Sequence, residues 1–568
     1  MNNRGASLTI LSPEEYKDRW VLPISGTHSK QNIDSKSNQE RYLAMNTNNT
    51  NFMGMMSQTL ANQPNSVTEN GALGHKTTGK ALVDLNFAIA SMRGKTDSEI
   101  VSAFLPAYAE DPVLAMKYLF FARDARGGLG ERRFFRVVSK WFADNHRDDI
   151  RKYLPLIPEY GRWDDLVELI SDPILFGDIV DLISKQLKED WNDMKQGASI
   201  SLLAKWLPSV NTSSPETVRK ARGLLAGLHM TERQYRKMLS KLRAYLKVVE
   251  TKMSANQWNE IDYEAVPSKA NLVYKDAFMK HDEERRKKYL ESLSKGETKI
   301  NASVAYPYDI VHKYHTNGTS IEYVNKDDTL EGMWKALPTP KTEFKPMIVV
   351  ADGSGSMQCG VGRTGVSALD VANSLAIYFA ERLPGPFANK YITFSSHPQY
   401  VDFGANTSLL DKIKIAEQHD EVANTNIKAV FEMILKTALD NKLEQKEIPD
   451  ILIISDMEFD GCVIQSSQEN YWDHGSMVDK TLFQTIAEEY EDAGYKIPKV
   501  VFWNVNSRTG TIPMNQNELG CALVSGFSPS IADMVMSTKL DPYEILLDKL
   551  NSPRYDLDKN LERMAIKN

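Results

Sequence analysis

Three short runs in the second half of the chain consist almost entirely of apolar residues: 347–351 (MIVVA), 451–455 (ILIIS) and 500–504 (VVFWN). A strand with one face in water alternates apolar and polar positions. A run that is apolar throughout must be covered on both faces, which is the condition of a parallel strand between two helical layers. Residues 391–394 (YITF) form a weaker fourth run and 521–524 (CALV) a plausible fifth. Helical spacing fills the intervals at 367–383, 426–440 and 478–493. Residues 341–540 are therefore expected to form a doubly wound, Rossmann-like α/β domain whose chemistry sits beyond the carboxyl ends of its strands.

The front half has a different character. Residues 1–65 are rich in Asn, Ser, Thr and Gly with little periodic apolar content, and read as a flexible arm. From Leu82 amphipathic helical segments succeed one another at 111–123, 131–143, 163–170, 179–191, 202–207, 231–249 and 275–293. Helix pairs without strand signals predict an all-helical, HEAT-like repeat region over 66–335, joined by a short Pro-containing linker to the α/β domain and followed by a helical tail at 541–568. The fold class is thus α + α/β.

Charge divides along the same line. From Lys341 onward there are 21 Lys and Arg against 32 Asp and Glu, a balance of −11; the first 340 residues hold 47 against 43, a balance of +4. The basic residues concentrate locally, at Arg219, Lys220, Arg222, Arg233, Arg236, Lys237, Lys241, Arg243 and Lys247, with Lys252 beyond them and only Glu232 and Glu250 opposing. That density makes the stretch a candidate phosphate-binding surface, with Tyr235 and Tyr245 available for base stacking, although Leu224, Leu225, Leu228, Met238, Leu239, Leu242 and Leu246 mark an ordinary buried stripe on the same segment. Arg123, Arg126, Arg132 and Arg133 read as partners of Asp124 and Glu131 in inter-helix ion pairs, and His75 as a capping or loop histidine.

Hydrophobic residues at 42% and charged residues at 25% are the proportions of a soluble globular protein. No window approaches 18 uncharged apolar residues and the N-terminus lacks a signal-peptide pattern, so a cytoplasmic site without membrane contact is expected. Cys359, Cys462 and Cys521 lie far apart without a CxxC pair, and are read as free thiols.

Directly after the first apolar run stands Asp352-Gly353-Ser354-Gly355-Ser356. One carboxylate and two hydroxyls on a turn loosened by glycines can face a single point, and oxygen-only donors suit Mg²⁺ or Mn²⁺. No phosphate loop or dinucleotide fingerprint accompanies them. A phosphatase of the haloacid dehalogenase type would need an acid where Ser354 stands. Glu458 and Asp460 read as solvated acids or outer groups near Asp456.

The DxSxS turn after a buried strand resembles the metal-ion-dependent adhesion site of von Willebrand A domains. In that resemblance Thr425, just before a helix, and Asp456, after the second long run, complete the ligand set with Asp352, Ser354 and Ser356. A von Willebrand A-type domain behind a helical region further resembles the Ro ribonucleoprotein family, with its TROVE-like module. The front-half landmarks are 123–128 (RDARGG), 130–133 (GERR), 160–164 (YGRWD) and 205–208 (KWLP). The resemblance implies a ring of paired helices closed by the A domain, binding structured or misfolded RNA on a basic outer surface, without enzymatic activity. An adaptor that grips an acidic partner residue through the metal is the alternative, and a metal-dependent hydrolase the third reading.

Overall fold

The computed structural model describes residues 65–315, 320–339, 347–362, 365–461, 482–514, 521–528, 531, 534 and 541–567. The expected arm at 1–65 and Cys462 lie outside the described residues, save for Asn65 itself.

The predicted strands form one sheet. β1 (Ser66–Val67) and β2 (Leu73–Gly74) make a small antiparallel hairpin. The main sheet contains β3 (Met347–Asp352), β4 (Lys390–Phe394), β5 (Gln399–Asp402), β6 (Asp450–Ser455), β7 (Val500–Asn504) and β8 (Cys521–Ser525). Their spatial order is β5-β4-β3-β6-β7-β8, all parallel except β5. β5 escapes the sequence pattern because it is a four-residue edge strand in which only Val401 is buried.

The apolar runs are explained by cores on both faces. Val349, Ala351, Leu452, Ile454, Val501 and Trp503 face one cluster; Val350, Ile451, Ile453, Val500 and Phe502 face the other. Each Val, Leu, Ile or Phe among them contributes roughly 1.5–3 kcal/mol of burial. Helices Lys428–Asn441 and Leu482–Asp492 cover the second face. The first face is covered by helix Ala368–Ala380, whose sequence ALDVANSLAIYFA is buried almost all round because a further helix, Pro307–His315, lies on its outer side.

That outer helix belongs to the helical half, so the linker near residue 341 divides the sequence pattern but not the packing. Helix Ala81–Ala88 packs on β8, with Asn504 Nδ2 donating to Phe87 O at 2.8 Å. The helical array therefore starts and finishes against the α/β unit. Helices Pro542–Leu550 and Leu557–Lys567 return to the front half, where Arg554 pairs with buried Asp124 and Tyr555 packs on Phe121.

The expected helix over 275–293 is two helices, Ser268–His281 and Glu283–Ser294, separated at Asp282. The arginines near residue 130 do form ion pairs, but with other partners than sequence proximity suggested. Arg123 reaches Asp165, Arg133 reaches Asp97, Glu131 binds Arg93 and Asp124 binds Arg554. His75 is 1% exposed, in an antiparallel bridge to Ile512, and is a core residue instead of a loop histidine. Among the described residues no helix is long and apolar enough to cross a membrane.

Candidate metal centre

β3 and β6 are neighbours and end together, which brings Asp352 and Asp456 to one edge of the sheet. Both are fully buried. Asp352 Oδ1 accepts the Ser354 amide at 2.9 Å and Oδ2 accepts the Ser455 hydroxyl at 2.6 Å. Ser354 and Ser356 place their hydroxyl oxygens 3.2 Å apart, and Ser356 in turn hydrogen-bonds Asp456. Gly355 N donates to Ala423 O at 3.0 Å, tying the DxSxS turn to the loop that carries buried Thr425. The sequence-predicted residues thus share one corner of the molecule.

Burial and the adjacent Asp456 charge push the Asp352 carboxyl well above its ordinary range, against hydrogen bonds from Ser354 and Ser455. Burial likewise lifts Asp456, with Arg508 and Ser356 opposing. Two buried carboxylates forced together, with serine hydroxyls beside them, are a donor set that a hard divalent cation would neutralise. Asp352, Ser354, Ser356, Asp456 and Thr425 would hold Mg²⁺ or Mn²⁺, which when bound would offer a Lewis-acidic position to an incoming oxygen. The strain of left-handed backbone at Val422 (φ 51°) and Met457 (φ 64°) also gathers in these loops.

Several residues of the site were not legible in the sequence. Arg508, in the loop after β7, places Nη1 2.8 Å from Asp456 Oδ2 and holds Glu69 Oε2 through Nε at 2.8 Å and Nη2 at 2.7 Å. Glu69 and Asn70 come from the β1–β2 hairpin, more than 350 residues away in sequence. Asn70 Nδ2 donates to Thr425 Oγ1 at 3.1 Å and to Glu458 O at 2.6 Å. The hairpin therefore lies across the carboxyl edge of the sheet. Arg508 alone had a signal, its position just past a buried parallel strand.

Of the two expectations for Glu458, a solvated acid or an outer group near Asp456, the structure has the second. It is fully buried, and accepts from the amides of Arg508 (2.8 Å), Thr509 (2.9 Å) and Glu69 (2.9 Å) and from the hydroxyls of Ser507 and Thr509. It fastens the hairpin and the post-β7 loop to the post-β6 loop.

The basic stretch forms helices Pro215–Gly227 and Glu232–Tyr245. Arg219, Arg222, Arg233, Arg236, Lys237, Lys241 and Lys247 are exposed, with Glu232 on Arg222 at 3.3 Å. Two of the nine candidates are tied into the fold. Lys220 pairs with Glu168 and Glu216, and Arg243 donates to the carbonyls of Ala204 and Leu207 and to Ser209. Tyr235 is fully buried with its hydroxyl on Pro208 O, so it is a core residue and no stacking platform; Tyr245 is half-buried and bonded to Ala198 O.

Fold and site together define a helical array built into an α/β unit that gathers carboxylates and hydroxyls at one sheet edge. Residues 346–554 match a domain of unknown function, DUF7788, and residues 68–172 and 220–339 match another, DUF2828. The chain is 29% identical over 557 residues to the uncharacterized protein L728 of Acanthamoeba polyphaga mimivirus, across 89% of this chain and 92% of the viral one. The match therefore spans both halves of the chain.

Proposed function

We propose that this chain is a non-enzymatic RNA-binding protein resembling the Ro ribonucleoprotein, with a von Willebrand A-type domain whose Mg²⁺ or Mn²⁺ centre is formed by Asp352, Ser354, Ser356, Thr425 and Asp456. The observation that carries the metal reading is the meeting of Asp352, Ser354, Ser356 and Asp456 at one edge of a sheet in which the DxSxS strand is flanked by β4 and β6 and a short antiparallel strand closes the β4 side. Docking of both ends of the helical array on that domain supports a closed, ring-like scaffold. The RNA reading rests on the seven exposed cations between Arg219 and Lys247.

RNA affinity measured by fluorescence polarisation should fall steeply with salt, by about tenfold or more between 50 and 200 mM, as counterions are released. Reversing Arg236, Lys237 and Lys241 to glutamate should abolish retention of structured RNA and flatten the salt slope. Arg243 is left out of the set because it anchors 204–209. Unchanged binding would remove this face from the account.

A second reading is favoured by Glu69, an acidic side chain already held by Arg508 beside Asp456. An acidic residue of a partner protein would occupy the same position, making the domain an adaptor that grips a carboxylate through the metal. Binding lost with chelator but little changed by salt would select this reading.

A further inference from the structure

Behind the DxSxS turn lies a second group of oxygens that the metal centre does not use. Tyr391 and Thr393 share one face of β4, helix Ala368–Ala380 contributes Asn373, and Asp420 follows helix Leu409–Gln418. Asn373, Tyr391 and Thr393 are 6%, 2% and 1% exposed. Four of their buried atoms lack any hydrogen-bond partner: Asn373 Oδ1, Tyr391 Oη, Thr393 Oγ1 and Asp420 Oδ1. Folded proteins leave few such groups unpaired, and a concentration of them in one place calls for something that they bind.

Two of these atoms meet at Gly353, where an added Cβ would come 2.9 Å from Thr393 Oγ1 and 3.0 Å from Asp420 Oδ1, so only a glycine lets the turn lie against both orphan oxygens. The other carboxylate oxygen of Asp420 accepts Asn373 Nδ2 at 2.8 Å, which keeps the amide against the same group. The charge acting on Asp420 is that of Glu417, of like sign, and burial holds the Asp420 carboxyl up at about 7.

A water molecule could satisfy these hydrogen-bonding atoms when Asp420 is protonated, but above about pH 7 the half-buried carboxylate would have no counter-charge. A cation satisfies both needs. Carboxylate, amide and hydroxyl oxygens are hard donors. One carboxylate balances one positive charge, so a monovalent ion leaves this group of oxygens neutral. We propose that Asn373, Tyr391, Thr393 and Asp420 bind a small monovalent cation of the sodium class behind Gly353. Its place is structural to the neighbouring centre. Gly353 N donates to Phe394 O at 2.8 Å and Gly353 O accepts Val422 N at 3.0 Å, so the ion braces the turn that projects Asp352, Ser354 and Ser356. The inference stands whether or not that centre takes magnesium.

Crystals of the full chain soaked in thallium(I) should give an anomalous peak among the four oxygens; water-like density without anomalous signal would overturn the proposal. In solution, the unmutated protein should melt about 2 °C higher in sodium chloride than in choline chloride at matched ionic strength, a shift of the size expected for a stabilised domain of this length. Asp420→Asn should lose that difference and weaken, without abolishing, any magnesium response that depends on Asp352. Equal melting of the unmutated protein in the two salts would refute sodium binding even if Asp420→Asn failed to fold.

Discussion

His315 ends helix Pro307–His315 and reaches across to the α/β unit, with Nδ1 2.9 Å from Asp370 Oδ1 and Nε2 2.6 Å from Glu417 Oε1. His312 lies 3.4 Å from the other Asp370 oxygen. Burial opposes a charged ring, but hydrogen bonds and charge from Asp370 and Glu417 outweigh it and lift the imidazole from 6.5 to about 9. At 1.36 kcal/mol per unit that rise is worth about 3 kcal/mol, and about 2 kcal/mol once screening of a quarter-exposed side chain is allowed for. Because the folded value lies above the unfolded one, the stabilisation is complete below pH 6.5 and is lost as pH rises through about 9. The assay is thermal melting of the unmutated protein and His315→Gln at intervals from pH 6 to 9.5. Titrations elsewhere cancel in the difference between the two. The unmutated protein should melt about 2 °C higher at pH 6, and the gap should close toward pH 9.5. A gap that stays constant, or widens with pH, would refute the clamp.

Asp352→Ala should abolish the rise in melting temperature produced by Mg²⁺, which at a hundredfold excess over Kd is worth about 2.7 kcal/mol in the unmutated protein; equal melting of the unmutated protein in magnesium and in chelator would count against the centre. Arg508→Gln removes the cation that shares Asp456 and should tighten Mg²⁺ binding about tenfold by calorimetric titration, equivalent to about 1.4 kcal/mol. Weaker binding in that variant would mean that Arg508 orders the site instead of competing for it.

How far the sequence could be read depended on the range of the forces involved. The continuous apolar runs at β3, β6 and β7 announced a sheet covered on both faces, because period and composition report burial directly. The placement of Asp352 and Asp456 at strand ends followed from the same runs. β5 could not be found that way, since an edge strand with one buried residue of four leaves no pattern. The basic stretch was visible as density, yet density does not separate Arg236, which is exposed, from Arg243, which is bonded to three groups of a neighbouring segment.

Chain order and local chemistry by themselves determined the two-part architecture, the strands and the acidic and hydroxyl residues available at the sheet edge. Only the tertiary structure decided that Glu69 and Asn70 lie over that edge, that Glu458 is a buried fastener and that Asp420 faces orphan oxygens behind Gly353. Those relations join segments up to several hundred residues apart. They arise from packing, which local sequence periodicity does not encode.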